Sequence, residues 1–155
     1  IVIDADALNI LSEINYWWEK LPSTTILTPH LGEFNKIYKF KDFEDIFKKV
    51  LNFTNNTNLK LLLKGPSTFI ADKKEITINI YPNGGMSKPG MGDVLTGLIG
   101  GIASYPKMKI KDAAILATYI HSNSGKLSRI SKGSTSMTAS DVISFIPQAF
   151  KSIEK

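Results

Sequence analysis

Apolar positions along this chain follow two alternating rhythms. The short runs Ile1-Val2-Ile3, Thr25–Thr28 and Leu59–Lys64 have the length and aliphatic content of buried strands in a parallel sheet. Ser67–Ala71 and Glu75–Ile80 read as two further strands joined by a turn at Asp72-Lys73-Lys74. Between them the spacing turns helical. Phe43, Ile46, Phe47, Val50 and Leu51 fall at i, i+3, i+4, i+7 and i+8, which predicts an amphipathic helix with its stripe inward. Asn52–Asn58 reads as its polar stop. A turn and short helix fill Ala5 to about Lys20, before Pro22, and another helix follows His30-Leu31-Gly32-Glu33 to about Tyr38. Pro82–Gly92 is a glycine-rich loop. Gly92–Ser104 is an apolar helix studded with small residues, and Ile110–Leu127 is a further helix. Thr138-Ala139-Ser140-Asp141 has the form of a capping box opening the last helix, Val142 to about Ala149. Strands alternating with helices predict an α/β fold around a parallel sheet.

Composition narrows the class. At 155 residues and 43% hydrophobic content the chain is one domain or part of one, with residues 151–155 as a tail. It has no cysteine, which removes disulfides, thiol nucleophiles and thiolate metal sites, and fits a reducing, cytoplasmic setting. The apolar runs are far short of a membrane span. The net charge of +5 comes from scattered lysines, with Arg129 the only arginine. Nucleic-acid binding favours clustered basic faces and arginine forks, so an anionic small molecule accounts for the charge better. The chain opens on IVIDADALN without a methionine, and the expectation is that an N-terminal part of the domain is missing.

Candidate chemistry gathers at the C-terminal ends of the strands, where open α/β sheets bind ligands. Gly90-Met91-Gly92-Asp93 is a glycine turn opening a helix. Its backbone N–H groups can approach an oxyanion closely, and Asp93 can take a proton from a hydroxyl beside it. The plainer reading is a turn with Asp93 as a helix cap. Lys64-Gly65-Pro66-Ser67-Thr68 follows a buried strand and offers an ammonium and two hydroxyls to phosphate; the plainer reading is a solvated turn. His30 and Glu33 lie three apart at a helix start. They suit substrate binding or the water shell of a metal, and equally a simple capping pair. Asp4, Asp6 and Asn9 read as a polar cluster that orders its loop or supports a ligand site from behind. His121 reads as a satisfied core histidine.

In this order the motifs resemble the NAD(P)H-hydrate dehydratase family of the ribokinase-like superfamily. The matching stretches are DADALNIL at 4–11, TPHLGEF at 28–34, LLKGPSTFIA at 62–71, NGGMSKPGMGDVLTGLIGGI at 83–102, the helix containing His121, and MTASDV at 137–142. The resemblance implies a ribokinase-like fold over residues 1–150: a mostly parallel sheet flanked by helices, lacking its N-terminal part. It implies repair of hydrated NADH and NADPH (NADHX and NADPHX), with ADP or ATP as co-substrate and Mg²⁺ bridging the phosphates. Asp93 is implied as the base that meets the substrate hydroxyl, and His30 as a substrate contact. Lys64, Gly65, Pro66, Ser67, Thr68 and Gly92 are implied as the nucleotide-binding set, with Gly90, Met91 and Gly92 as the anion hole. Glu33 is the metal's helper through water. The histidine at position 30 points to the bacterial type, which uses ADP; the resemblance as a whole implies a carbon–oxygen lyase. Pro89 stands where the family usually has glycine and removes one N–H from the hole. The expected partners are the hydrated dinucleotide and possible copies of the same chain, with no nucleic acid and no membrane. The alternatives are a vitamin or sugar-alcohol kinase of the same superfamily, or an inactive nucleotide-binding fragment.

Overall fold

The computed structural model describes residues 1–39, 46–73, 75–81 and 84–154. Five strands form one sheet in the order β1 (Val2–Ile3), β2 (Ile26–Leu27), β3 (Lys60–Leu63), β4 (Thr68–Asp72), β5 (Glu75–Asn79). β1, β2 and β3 pair in parallel, and β4 pairs antiparallel to both β3 and β5. Four strands therefore share one direction and only β4 runs against them. Bonds outside the named strands lengthen the parallel part: Thr28 N–H donates to Ile3 C=O at 3.0 Å and Lys64 N–H to Pro29 C=O at 2.8 Å.

Alternation along the strands divides the core. Leu27, Leu61 and Leu63 face one side and pack with Leu8, Trp17, Phe34, Val50 and Phe53. These come from α1 (Asp6–Leu11), a 3-10 turn (Trp17–Lys20), α2 (Leu31–Ile37) and α3 (Ile46–Thr57). Ile26, Leu62 and Ile70 face the other side, against Leu95 and Ile99 of α4 (Met91–Ala103) and Ala113 and Ala117 of α5 (Ile110–Lys132). A third cluster, Met91, Met137 and Val142, joins the start of α4 to α6 (Ala139–Lys151).

Four expectations change, the last of them at the final helix. α3 runs through the asparagine-rich stretch to Thr57, because Phe53 continues the stripe from Val50 and is buried. The chain breaks only at Asn58, held at φ 57°. Phe47 is 44% exposed and rests on the ring of Phe69 at 5.0 Å rather than in the core. Phe43 lies outside the described residues. α5 continues to Lys132 and stops at Gly133, whose φ of 81° suits only glycine well.

The last helix starts earlier than Val142, at the predicted cap. Thr138 accepts from Asp141 N–H at 3.3 Å, and the Asp141 carboxylate accepts from Thr138 N–H at 2.8 Å. The Thr138 hydroxyl and N–H hold the Asp141 carboxyl below its ordinary range. Thr138→Ala is expected to cost about 1 kcal/mol in urea unfolding.

Candidate active site

A cleft of about 710 Å³ opens at the C-terminal ends of β2 and β3. One wall is the strand-end loop, with His30, Lys64, Gly65, Pro66 and Thr68. Facing it are Lys88, Pro89, Met91 and Gly92 at the start of α4. Asn79, His121 and Ser122 line the far end, where Asn79 Nδ2 donates to Ser122 Oγ at 2.7 Å. Sequence motifs some sixty residues apart thus meet because parallel strands end on one side of the sheet.

Lys64 is fixed by Asp4, the first residue of the 4–11 stretch, in the supporting role expected of that cluster. Its Nζ donates to Asp4 Oδ1 at 2.7 Å, and Thr96 Oγ1 of α4 donates to Asp4 Oδ2 at 2.8 Å. Asp4 thereby ties together the ends of β1 and β3 and the second turn of α4. Ala5, which donates its N–H to Asp4 Oδ1, is held at φ 51°, a conformation that costs an alanine about 1 kcal/mol or more. A Cβ on Gly92 would lie 3.3 Å from Lys64 Nζ, so the glycine admits the ammonium beneath the first turn of α4. The cluster expected from Asp4, Asp6 and Asn9 divides: Asn9 Oδ1 accepts from Lys36 Nζ at 2.9 Å, and Asp6 sits exposed in the first turn of α1.

The anion turn takes shape around Gly90, at φ 83°. Met91 N–H closes onto Lys88 C=O at 3.3 Å, so it is partly spent on the turn itself. Gly92 and Asp93 follow as the second and third helical residues, where backbone N–H groups lack intrahelical partners and the helix dipole is positive. Asp93 and Gly90 do not line the cleft. They border an adjoining apolar groove of about 930 Å³ between α4 and α6, so one helical turn edges both spaces. Ser67 also stands outside the cleft lining.

His30 and Glu33 form a reciprocal cap. His30 Nδ1 accepts from Glu33 N–H at 3.2 Å, and Glu33 Oε2 accepts from His30 N–H at 2.7 Å. The second oxygen, Oε1, lies 3.5 Å from His30 Nε2. Oε2 is therefore held by the cap, and a metal bound directly to Oε1 would compete with the neighbouring imidazole. Such a carboxylate would suit a hydrated Mg²⁺ that keeps most of its waters better than a directly bound one. Among the described residues no group of three or more histidine and acidic side chains is arranged to hold a metal.

His121 departs from the expectation of a satisfied core residue. It is 9% exposed, and its Nε2 has no hydrogen-bond partner. Burial lowers its pKa from 6.5 to about 4, against a smaller opposing effect from a bond to the Met91 backbone. Below pH 6.5 the unfolded chain takes up a proton that the folded chain refuses. The stability tied to the neutral ring is full above about 6.5 and drains away as pH falls towards 4. His121→Gln is expected to flatten that acid limb in thermal melts taken from neutral pH downward.

No helix of the described residues is long and apolar enough to cross a membrane. The sequence profile of the NAD(P)H-hydrate dehydratase family matches residues 1–148. A bifunctional NAD(P)H-hydrate repair enzyme Nnr of Dictyoglomus turgidum is 33% identical over 99% of this chain, which covers 30% of that protein. The Nnr of Thermosynechococcus vestitus is 41% identical over 77% of this chain and 23% of its own length. Among solved structures, an ADP/ATP-dependent NAD(P)H-hydrate dehydratase from Bacillus subtilis, co-crystallised with ATP and Mg²⁺, superposes with a TM-score of 0.85 at 26% identity. This chain is covered to 99% in that match and spans 55% of the Bacillus chain. A ribokinase-like superfamily protein from Enterococcus faecalis shares the fold, with a TM-score of 0.80 at 22% identity. The chain thus spans under a third of the Nnr relatives and about half of the solved ones. Profile, identity and fold agree with the α/β arrangement and its motifs: this chain belongs to the NAD(P)H-hydrate dehydratase family.

Proposed function

We propose that this chain carries the nucleotide and phosphoryl-transfer part of a site that restores hydrated NADH and NADPH at the expense of ADP or ATP. The observation that carries the reading is one cleft that brings the Lys64–Thr68 strand-end loop against the Met91–Gly92 helix start, with His30 at the rim. The B. subtilis relative, crystallised with ATP and Mg²⁺, supports a nucleotide in that cleft. In this reading Lys64, Gly65, Pro66, Ser67 and Thr68 hold the nucleotide, and the N–H groups of Gly90, Met91 and Gly92 meet the transferring phosphoryl group. That group carries dispersed negative charge, so fixed donors and an ammonium are what it needs. Asp93 accepts the proton of the hydrate hydroxyl as its oxygen forms the new bond to phosphorus, and the nucleotide leaves one phosphate shorter. Elimination then breaks the carbon–oxygen bond. Phosphate departs with the electron pair, and loss of a neighbouring proton restores the double bond. Mg²⁺ supplies charge neutralisation on the phosphates, with Glu33 reached through water. ADP is the preferred donor, on the histidine at position 30.

A second reading, nucleotide binding without turnover, is favoured by one placement: Asp93 edges the apolar groove rather than the cleft. Incubating the chain with hydrated NADH, Mg²⁺ and either ADP or ATP, and following recovery of NADH absorbance, separates the two. Recovery with ADP exceeding that with ATP is the expected result. Nucleotide binding by calorimetry with no recovery selects the second reading. A stable phosphate ester formed from a vitamin or sugar alcohol, with no repair, selects a small-molecule kinase.

A further inference from the structure

Lys88 lines the cleft, yet its ammonium points to work other than phosphate binding. Its Nζ donates to three backbone carbonyls, Ser134 at 3.1 Å, Thr135 at 2.7 Å and Met137 at 2.7 Å. An ammonium has three N–H donors, so all of them are spent. Lys64, by contrast, gives one bond to Asp4 and keeps donors for a ligand. The three carbonyls belong to the loop between α5 and α6, which turns back at Gly133 and enters α6 through the Thr138 cap. Carbonyl oxygens converging on a compact cation are how proteins replace the hydration shell of potassium.

We propose that Ser134, Thr135 and Met137 form a monovalent-cation site occupied by the tethered ammonium of Lys88, and that this cation mounts the 88–93 turn on the α5–α6 loop. A second contact follows the same line. A Cβ on Gly90 would lie 3.0 Å from Ala139 Cβ, so the turn is seated directly on the first residue of α6. Lys88 is thus a positioning residue. It sets where the N–H groups of Met91 and Gly92 point, and it touches neither phosphorus nor the substrate hydroxyl. The consequence for phosphate rests on the functional reading above; the cation site itself does not.

The site is tested by chemical replacement of the cation. Lys88→Ala removes the ammonium and opens space for a free ion, whereas Lys88→Met fills that space with an apolar chain. Thermal unfolding of wild type and both variants is compared in potassium, ammonium and choline chloride at equal ionic strength. Wild type is expected to melt at the same temperature in all three salts. Lys88→Ala is expected to melt about 5 °C or more lower in choline, and to regain most of that shift in potassium or ammonium. Lys88→Met is expected to stay low throughout. A Lys88→Ala protein that behaves alike in all three salts, equally folded or equally unfolded, overturns the proposal, as does a wild type that responds as strongly as the variant. Melting needs no turnover, so a chain that repairs no hydrate would defeat the functional reading and leave this result standing.

Discussion

Asp93→Ala is expected to lower nucleotide-dependent recovery of NADH by about 10²–10⁴-fold, the usual contribution of a positioned general base. ADP affinity, measured by titration calorimetry, is expected to stay within about threefold of wild type. The argument starts from the placement of the carboxylate. Asp93 is exposed at the third residue of α4 and edges the groove, one residue beyond Met91 and Gly92, which line the cleft. A carboxylate there can receive a proton from a hydroxyl lying over the turn. Among the described residues no hydrogen bond or ion pair joins it to the Lys64–Asp4–Thr96 cluster. Alanine forfeits about 0.3–1 kcal/mol of dipole interaction, too little to unfold the domain. Asp93→Asn separates charge from shape: it should be as slow as alanine if the group takes a proton. Repair at an undiminished rate in both variants removes Asp93 from the chemistry.

The sequence made the sheet and its ligand edge legible, because both rest on local signals. Leu61, Leu62 and Leu63 form a run buried on both faces, and Lys64-Gly65-Pro66 marks where it ends. The glycines of the 90–92 turn and the Thr138 cap announce helix starts by chemistry that operates within four residues. What stayed hidden was set by tertiary contact. Nothing near Lys64 in the chain indicates that its partner is Asp4, which β1 delivers from sixty residues away. Lys88 has no role that its neighbours in the chain announce, and its carbonyl partners come from the α5–α6 loop some forty-six residues on. The polar stretch Asn52–Asn58 reads as a stop, but buried Phe53 and the bond from Thr54 Oγ1 to Lys73 C=O at 3.0 Å hold it in the helix as far as Thr57. His121 has helical spacing that fits a core position. The loss of its second hydrogen-bond partner becomes visible only once α4 is packed beside it. The division of the Gly90–Asp93 motif between cleft and groove is likewise a property of how α6 lies against α4.

Lys64→Met is expected to damage stability and nucleotide binding together, and a second substitution should separate the two. Methionine keeps the apolar stem but leaves the Asp4 carboxylate with only the Ala5 N–H and the Thr96 hydroxyl. A partly buried charge stranded in this way costs about 2–3 kcal/mol, at or below the lower end of the usual range because the Lys64 side chain is 23% exposed and that of Asp4 10%. Asp4→Asn in the same chain removes the stranded charge, so the double variant should recover about 1–2 kcal/mol relative to additivity. ADP affinity should fall about 10–100-fold in both the single and the double variant, since the ammonium offered to phosphate is absent from each. Urea midpoints and ADP titrations on wild type, both single variants and the double variant complete the cycle. Additive stability losses would mean that the 2.7 Å contact carries no coupling. Return of ADP affinity on adding Asp4→Asn would be the more instructive failure. It would mean that Lys64 serves to mask the charge of Asp4 at the mouth of the α4 turn, and that the backbone N–H groups alone receive the phosphate.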